Sequence, residues 1–402
     1  MIKIALMGRV DRFAPAFEHV KKNLEPKAEI VGFCPSGDAS EPVMVCEELG
    51  EHLYPKVTFY GDFETMIEDC TPDVLVLSSP CGQREEEAKY ALERGISVCS
   101  EGPITQDSEQ LEILYTLAQE HSALCWTMQT RRFDDAVYAV KRLASEKAIG
   151  CVRSISVSIS HQAQCQVHDC HEAGHEVHVI SHMALDALDL ARYLSEEPIQ
   201  RVAAMSCAAC EDSSEGHGHH HAAAAMIQLQ MDHGVLADVR VDDMMPASSV
   251  DCDMAIRIMG SEGLVELHNG RVHIMNKKYT EKTEIEDLKV SPVGLFTAFL
   301  FAYDELKHPE TAFFRVIPEE IRKTLDAGLS NRSCERVNRL ALLAEEAAQT
   351  GQTLEIAELF DDERAEIAAR LEAERKRREE ELARDPRQQV LARVRARRAG
   401  QI

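Results

Sequence analysis

The stretch DVLVLSSPCGQREEEAKYALERGISVCSEGP, residues 73–103, decides the fold. It opens on DVLVLSS, a continuous apolar run of strand length, the pattern of a strand covered on both faces. EEEAKYALERG follows as a helix and ISVCS as a second buried strand. Strand, helix, strand with continuously apolar strands is the unit of a parallel sheet.

The alternation extends in both directions. Upstream, KIALMG (3–8) and EIVGF (29–33) are strand-like, and between them RFAPAFEHVKKNL (12–24) has apolar residues at helical spacing. Downstream, SEQLEILYTLAQEHS (108–122) is helical and ALCWTMQ (123–129) is a further strand. Residues 1–125 are thus expected to form a Rossmann-like, doubly wound parallel α/β domain. Such sheets take ligands outside the carboxyl ends of their strands, at the switch point.

After Gly150 the period changes. CVRSISVSISHQ (151–162) alternates with period two, as a half-buried strand does. A histidine-rich helix follows, then IQRVAAMSC (199–207), AAMIQLQMD (224–232), GVLADVRVD (234–242) and MAIRIMGSEGLVELHNGRVHIMN (254–276), all strand-like. The expectation is an α+β domain over 126–355, with an open antiparallel sheet, a helix against it and closing helices from Pro318 onward. Residues 356–402 are dense in mixed charge and form a helical tail, either solvated or self-associating, that ends in a small basic tip.

Composition narrows the partners. The 402 residues carry a formal net charge of -25 and are 45% hydrophobic. That charge excludes a generally basic nucleic-acid surface. No run has the length of a membrane-spanning helix, and MIKIALMGRV has the pattern of a first strand rather than of a signal peptide. A cytoplasmic location is the expectation, with the 13 cysteines as buried free thiols or, near histidines, metal ligands.

The order of segments resembles the glucose–fructose oxidoreductase / inositol dehydrogenase (Gfo/Idh/MocA) family from residue 1 to about 355. The stretch 73–103 resembles its strand, Thr-Pro-Asn segment, helix and Glu-Lys-Pro motif. RRFDDAVYAVKRL (131–143) is similar to its Arg-Phe segment, ALDALDLARYL (184–194) to its catalytic helix, and LLAEEAAQTGQTLEI (342–356) to its closing helix. The resemblance implies an NAD- or NADP-dependent oxidoreductase of a small sugar- or polyol-like substrate, homo-oligomeric through the open sheet. It places Gly8, Arg9, Ser36, Ser79, Pro80, Glu101, Pro103 and Arg131 along the cofactor.

Three motifs depart from the family. Of Gly-x-Gly-x-x-Gly only Gly8 remains, in MGRVDRFAPAF, and the end of the second strand offers Cys34, Pro35 and Ser36 where an acid usually accepts ribose hydroxyls. Glu101-Gly102-Pro103 lacks the lysine. The family pattern Asp-x-Gly-x-His-x-x-Asp aligns with His182, Ala184, Asp186 and Asp189, so the His and the first Asp are exchanged. His182, Asp186 and Asp189 are the candidate catalytic residues.

A second chemistry is open on the same helix. His175, His178, His182, Asp186 and Asp189 are spaced 3, 4, 4 and 3, an arc of roughly 80° on one helix. His175, His178, His182 and Asp186 could hold a divalent ion such as Zn, Ni, Co or Mn. His168, His171, Cys165 and Cys170 lie just upstream, and Cys207, Cys210 and His217, His219, His220 and His221 form a second cluster; ten of the 17 histidines fall between His161 and His221. Three functions therefore stand side by side: an atypical NAD(P) oxidoreductase, a metal-dependent hydrolase, lyase or metal-handling protein with a decayed dinucleotide site, and a non-catalytic oligomeric scaffold or sensor.

Overall fold

The structure is a computed structural model, and it describes residues 1–8, 27–35, 57–162, 179–208, 223–245, 252–285, 294–308 and 330–384. The expected helix at 12–24, the histidines His168, His171, His175 and His178 and the cluster His217–His221 lie outside the described residues.

The first sheet is built by β1 (Ile2–Gly8), β2 (Ala28–Pro35), β3 (Thr58–Phe59), β4 (Val74–Ser78), β5 (Ser97–Ser100) and β6 (Cys125–Thr127). Between them run α1 (Phe63–Cys70), α2 (Cys81–Glu93) and α3 (Ser108–Glu120). All pairings are parallel, in the order β3-β2-β1-β4-β5-β6. The order reverses between β1 and β4, the switch point of a doubly wound sheet. Every residue of β4 and β5 is buried, as their unbroken apolar runs require. Asp62 and Asp107 start α1 and α3 by accepting backbone N–H bonds from Thr65, and from Glu109 and Gln110. β6 pairs with β5, Val98 opposite Cys125, so this sheet extends to Thr127.

A short 3₁₀ turn, Thr130–Phe133, leads into α4 (Asp135–Ser145) and β7 (Val152–Gln162). Then come α5 (Val179–Met183), α6 (Leu185–Ser195), β8 (Ile199–Ala208), β9 (Ala223–Met231), β10 (Leu236–Met245), β11 (Cys252–Gly260), β12 (Gly263–His268), β13 (Arg271–Asn276) and β14 (Thr283–Glu284). α7 (Leu295–Lys307), α8 (Asn331–Thr350), β15 (Leu354–Glu355) and α9 (Asp361–Arg384) complete the described chain. The second sheet has the order β14-β13-β12-β11-β7-β10-β9-β8-β15. It is open and antiparallel as expected except at its centre, where β7 and β10 run parallel, Val157 opposite Val239. Period-two alternation is the same for either direction, so the sequence of β7 carries no sign of this pairing.

Helix α6 packs its Leu188 and Leu190 into the core under the second sheet. α7 belongs to the first core, where Phe299 meets Trp126 edge to face at 5.2 Å. Helix α8 joins the two sheets. Its Asn331 Oδ1 accepts from Cys125 N at 2.9 Å and its Asn338 Nδ2 donates to Thr127 Oγ1, while Val337 to Ala347 pack into the second core. The charged tail is not simply solvated: Arg364 of α9 donates to Asp232 at 2.7 and 3.1 Å and so anchors the helix start to the 3₁₀ turn after β9. Among the described residues no helix is long and apolar enough to cross a membrane.

Candidate active site

The site is assembled where the carboxyl ends of the first sheet meet α5 and α6. Gly8 ends β1 at φ +133°, and a Cβ there would lie 2.5 Å from the backbone carbon of Ser78. Only glycine allows β1 and β4 to end this close together. The Ser78 hydroxyl beside it is buried with no hydrogen-bond partner among the described residues. β2 ends in Cys34 and Pro35, and the Cys34 thiol is pushed up to about 11, by burial first and then by Glu87 and Asp62, so it stays neutral. Glu87 of α2 stands near this strand end. Burial lifts its carboxyl to about 7, against the Ser79 hydroxyl and Arg84, which favour the charged form. Thus a carboxyl reaches this region from α2, although β2 itself supplies none.

Arg84, which the sequence did not single out, binds the strand ends together. Its Nε donates to Ser79 O at 2.5 Å, its Nη1 to Gly102 O and Pro103 O, and its Nη2 to Glu101 Oε2 at 3.1 Å. Ser79, Glu101 and Pro103, all expected along the cofactor, are therefore gathered on one guanidinium. Pro80 holds the N-cap position of α2. Arg9 and Ser36 lie outside the described residues. Gly102 takes the position at which the resemblance leads one to expect lysine, and a Cβ on it would overlap Leu185 Cδ2 of α6. That leucine closes the space a side chain at 102 would enter.

The helix is distorted at Ala184 (φ −95°, ψ −5°), where α5 passes into α6, but Ala184 N donates to Ile180 O and Leu188 N to Ala184 O at 2.8 Å each, so the helical path continues. His182, Asp186 and Asp189 nevertheless differ in their partners. His182 is buried with its Nε2 2.7 Å from Gln106 Nε2, an amide on the segment after β5. Asp189 is buried and held bidentately by Arg132, with Nε to Oδ2 at 2.5 Å and the second bond from Nη2 to Oδ1. Asp186 is partly exposed as a residue, but its Oδ1 is buried and has no hydrogen-bond partner among the described residues. Its carboxyl is pushed up to about 7 by burial, with Asp189 and Asp134 adding and Arg131 and Arg132 opposing.

Arg131 borders Asp186. Burial acts against its charge, but Cys252, Asp186 and Asp134 together hold its pKa above the usual value. Its Nη2 donates to Cys252 Sγ at 2.8 Å. Cys252 lies opposite His161 in the pairing of β11 with β7, and the His161 imidazole is shifted down by burial and by Arg131. Cys252 and His161 are site residues the sequence alone did not reveal, since their strands are far apart in the chain. Among the described residues no three His, Cys, Asp or Glu side chains gather to hold a metal. Of the metal set, His182 and Asp186 are described and His175 and His178 are not.

A dinucleotide fits the described part of this edge: the strands close to backbone contact at Gly8, an unpartnered hydroxyl faces the switch point, and carboxyls of raised pKa stand at both ends of it. Residues 2–129 match the family model described as an oxidoreductase family with an NAD-binding Rossmann fold, and residues 137–266 match the GFO/IDH/MocA C-terminal domain. An uncharacterized oxidoreductase of Schizosaccharomyces pombe is 29% identical over 108 residues, 27% of this chain and 29% of that protein. A scyllo-inositol 2-dehydrogenase (NADP+) of Bacillus subtilis is 25% identical over 105 residues, 26% of this chain and 29% of that protein. Each of these matches thus spans under a third of the relative's length. The crystal structure of an NAD-binding protein from Listeria innocua superposes with a TM-score of 0.68 at 17% identity, over 89% of this chain and 97% of that one. With family matches on both sheets, the chain belongs to the Gfo/Idh/MocA family of oxidoreductases.

Proposed function

We propose that the protein is an NAD(P)-dependent oxidoreductase of a small polar, polyol- or sugar-like substrate. The observation that carries this is the Asp186 carboxyl: unpaired, raised to about 7, and mounted on a helix seated against the carboxyl edge of a parallel nucleotide-binding sheet. A general base works best with a pKa near the operating pH. A bound nicotinamide would supply the hydride acceptor. Asp186 in its ionised form takes the proton of the substrate hydroxyl at its free Oδ1. Arg131 provides the positive charge beside it that Gly102 cannot. Arg132, by fixing Asp189, holds α6 in place, and Gln106 holds the His182 ring.

On this reading Gly8, Arg9, Ser36, Ser79, Pro80, Glu101 and Pro103 line the dinucleotide, and Glu87 takes the ribose-binding part that β2 lacks. Calorimetric titration with NADH and NADPH tests it, followed by assay of a panel of polyols and aldoses. Saturable binding of either nucleotide, with reduction of NAD+ or NADP+ on one of the polyols, is expected. No binding heat from either nucleotide would refute it.

The outer face of the second sheet supports self-association. Met205 and Met226 face each other across β8 and β9 and are 71% and 52% exposed, with Leu236 and Met244 also on exposed positions of β10. Exposed methionines paired on a sheet face, as Met205 and Met226 are, suit a surface that a second copy of the chain covers.

A further inference from the structure

Toward the C-terminal end of α6, a cavity of about 270 Å³ opens between α4, α6, α8 and α9. Arg132, Lys141, Arg192, Arg336 and Arg370 line it, against Glu196, Glu363 and Glu366. This inverts the balance of a chain with 44 Lys and Arg against 69 Asp and Glu. Four of the five cations are at most 9% exposed, so they are not a solvated surface patch.

Their pairings differ in closeness, and those of Arg192 and Arg370 are the longer ones. Arg132 is held by Asp189, and Lys141 Nζ donates to Tyr193 O and Glu196 Oε1 at 2.5 Å each. By contrast, Arg192 reaches Ser333 O at 3.4 Å and Glu363 at 3.3 and 3.2 Å, and Arg370 reaches Glu196 at 3.3 Å. Arg336 is closely ion-paired, its Nη2 2.5 Å from Asp362 Oδ1, while its Nη1 lies 3.9 Å from Glu363. A guanidinium carries five N–H donors, so much donor capacity is unused here. Burial, with the neighbouring cations adding, holds Arg192 and Lys141 below their usual pKa values. The N-terminus of α8, capped by Ser330, also opens on the cavity and adds the positive end of a 20-residue helix.

We propose that this cavity binds a phosphate group, inorganic or carried by a small metabolite, between Arg192, Arg336 and Arg370 at the start of α8. Its volume equals roughly nine waters at their share of the liquid, enough for a phosphate with a small organic part. Planar guanidinium forks converging from three sides match the several oxygens of such an oxyanion. The site is separate from the dinucleotide edge and does not depend on the oxidoreductase reading.

The test is calorimetric titration of the full-length chain at fixed ionic strength with inorganic phosphate and, separately, with glycerol 3-phosphate. Saturable 1:1 binding of at least one is expected, weakened tenfold or more in Arg370→Ala, a half-exposed residue whose loss leaves the fold intact by circular dichroism. Arg336→Gln should weaken it similarly. Tighter phosphate points to the free ion as source, tighter glycerol 3-phosphate to a metabolite, and either supports the site. Absence of saturable heat with both probes, or unchanged affinity in Arg370→Ala, overturns it.

Discussion

Replacing Asp186 by Asn removes the one titrating group on which the proposed chemistry turns, and the structure fixes the sign and size of the effect. The carboxyl stands at about 7 in the folded chain against an ordinary value of 3.8. The folded state therefore holds the proton more tightly than the unfolded state does. The stability this supplies is complete below about pH 4 and is lost as pH rises to about 7. The gap between the two values corresponds to about 4 kcal/mol at most. Asn has no proton to lose, so the variant keeps a flatter profile. Between pH 5 and 8 the wild type should lose about 2–3 kcal/mol more than Asp186→Asn.

Urea unfolding followed by circular dichroism at pH 5, 6, 7 and 8 measures this, because all other titrating groups cancel in the difference between the two chains. Parallel profiles, within about 0.3 kcal/mol, would mean that Asp186 titrates as an ordinary carboxylate, and the assignment of the base would fall with it. The kinetic side has the opposite pH sense. Alcohol oxidation needs the ionised form, so kcat/KM should rise with pH through about 7 in the wild type and drop by about 10²–10⁴ in Asp186→Asn.

Asp189→Asn strips Arg132 of one of two charge-assisted bonds in a buried pair and should cost about 3 kcal/mol in urea unfolding; a loss under about 1 kcal/mol would mean the pair is solvated. Gly102→Lys restores the family residue but drives its side chain into Leu185 and should destabilise by about 1–3 kcal/mol. Combined with Leu185→Ala it should show a coupling of about 0.5–3 kcal/mol in a double-mutant cycle, whereas additive losses would show that the leucine does not occupy that space. Met226→Lys, on the outward face of β9, should shift the oligomer toward monomer in light scattering while leaving the stability of the monomer within about 0.5 kcal/mol.

What the sequence makes legible follows from where the physical signal is local. The runs at 73–79 and 96–100 are continuously apolar, and that pattern alone demands strands covered on both faces, which is how β4 and β5 lie. The nine-stranded sheet is legible strand by strand but not in its centre, since the Ser-Ile-Ser-Val alternation of β7 suits a parallel neighbour as well as an antiparallel one. The site is less legible because its contacts are long-range. Arg84 lies among Gln83, Glu85 and Glu86 and looks like part of a solvated face, yet it is buried on three backbone carbonyls. The spacing of His182, Asp186 and Asp189 is right for one helical face, but a helical wheel does not tell which distant segment meets each residue. His182 meets Gln106 and Asp189 meets Arg132, both far away in the chain, while Asp186 Oδ1 is buried without a partner among the described residues.

Two of the departures that the resemblance implies, at Gly102 and along the catalytic helix, make sense together rather than singly. With Gly102 in place of lysine and Leu185 filling the adjacent space, no cation can approach from the segment after β5. An imidazole at position 186 would be buried beside Arg131, and burial first, with the guanidinium adding, would hold it neutral and weaken it as a base, the two causes that lower His161. A carboxylate responds in the opposite way. Burial raises Asp186 to about 7, and Arg131 limits that rise, so the group arrives at the pKa range that imidazole occupies when unperturbed. The exchange of His and Asp along the helix is thus the substitution expected once the neighbouring cation is an arginine from the 3₁₀ turn rather than a lysine from the β5 loop. Arg131 is accordingly the residue to vary. In Arg131→Met the Asp186 carboxyl loses its main opposing charge, and the rise of kcat/KM with pH should move to higher pH. A profile that stays at about 7 would show that Arg131 does not set the base.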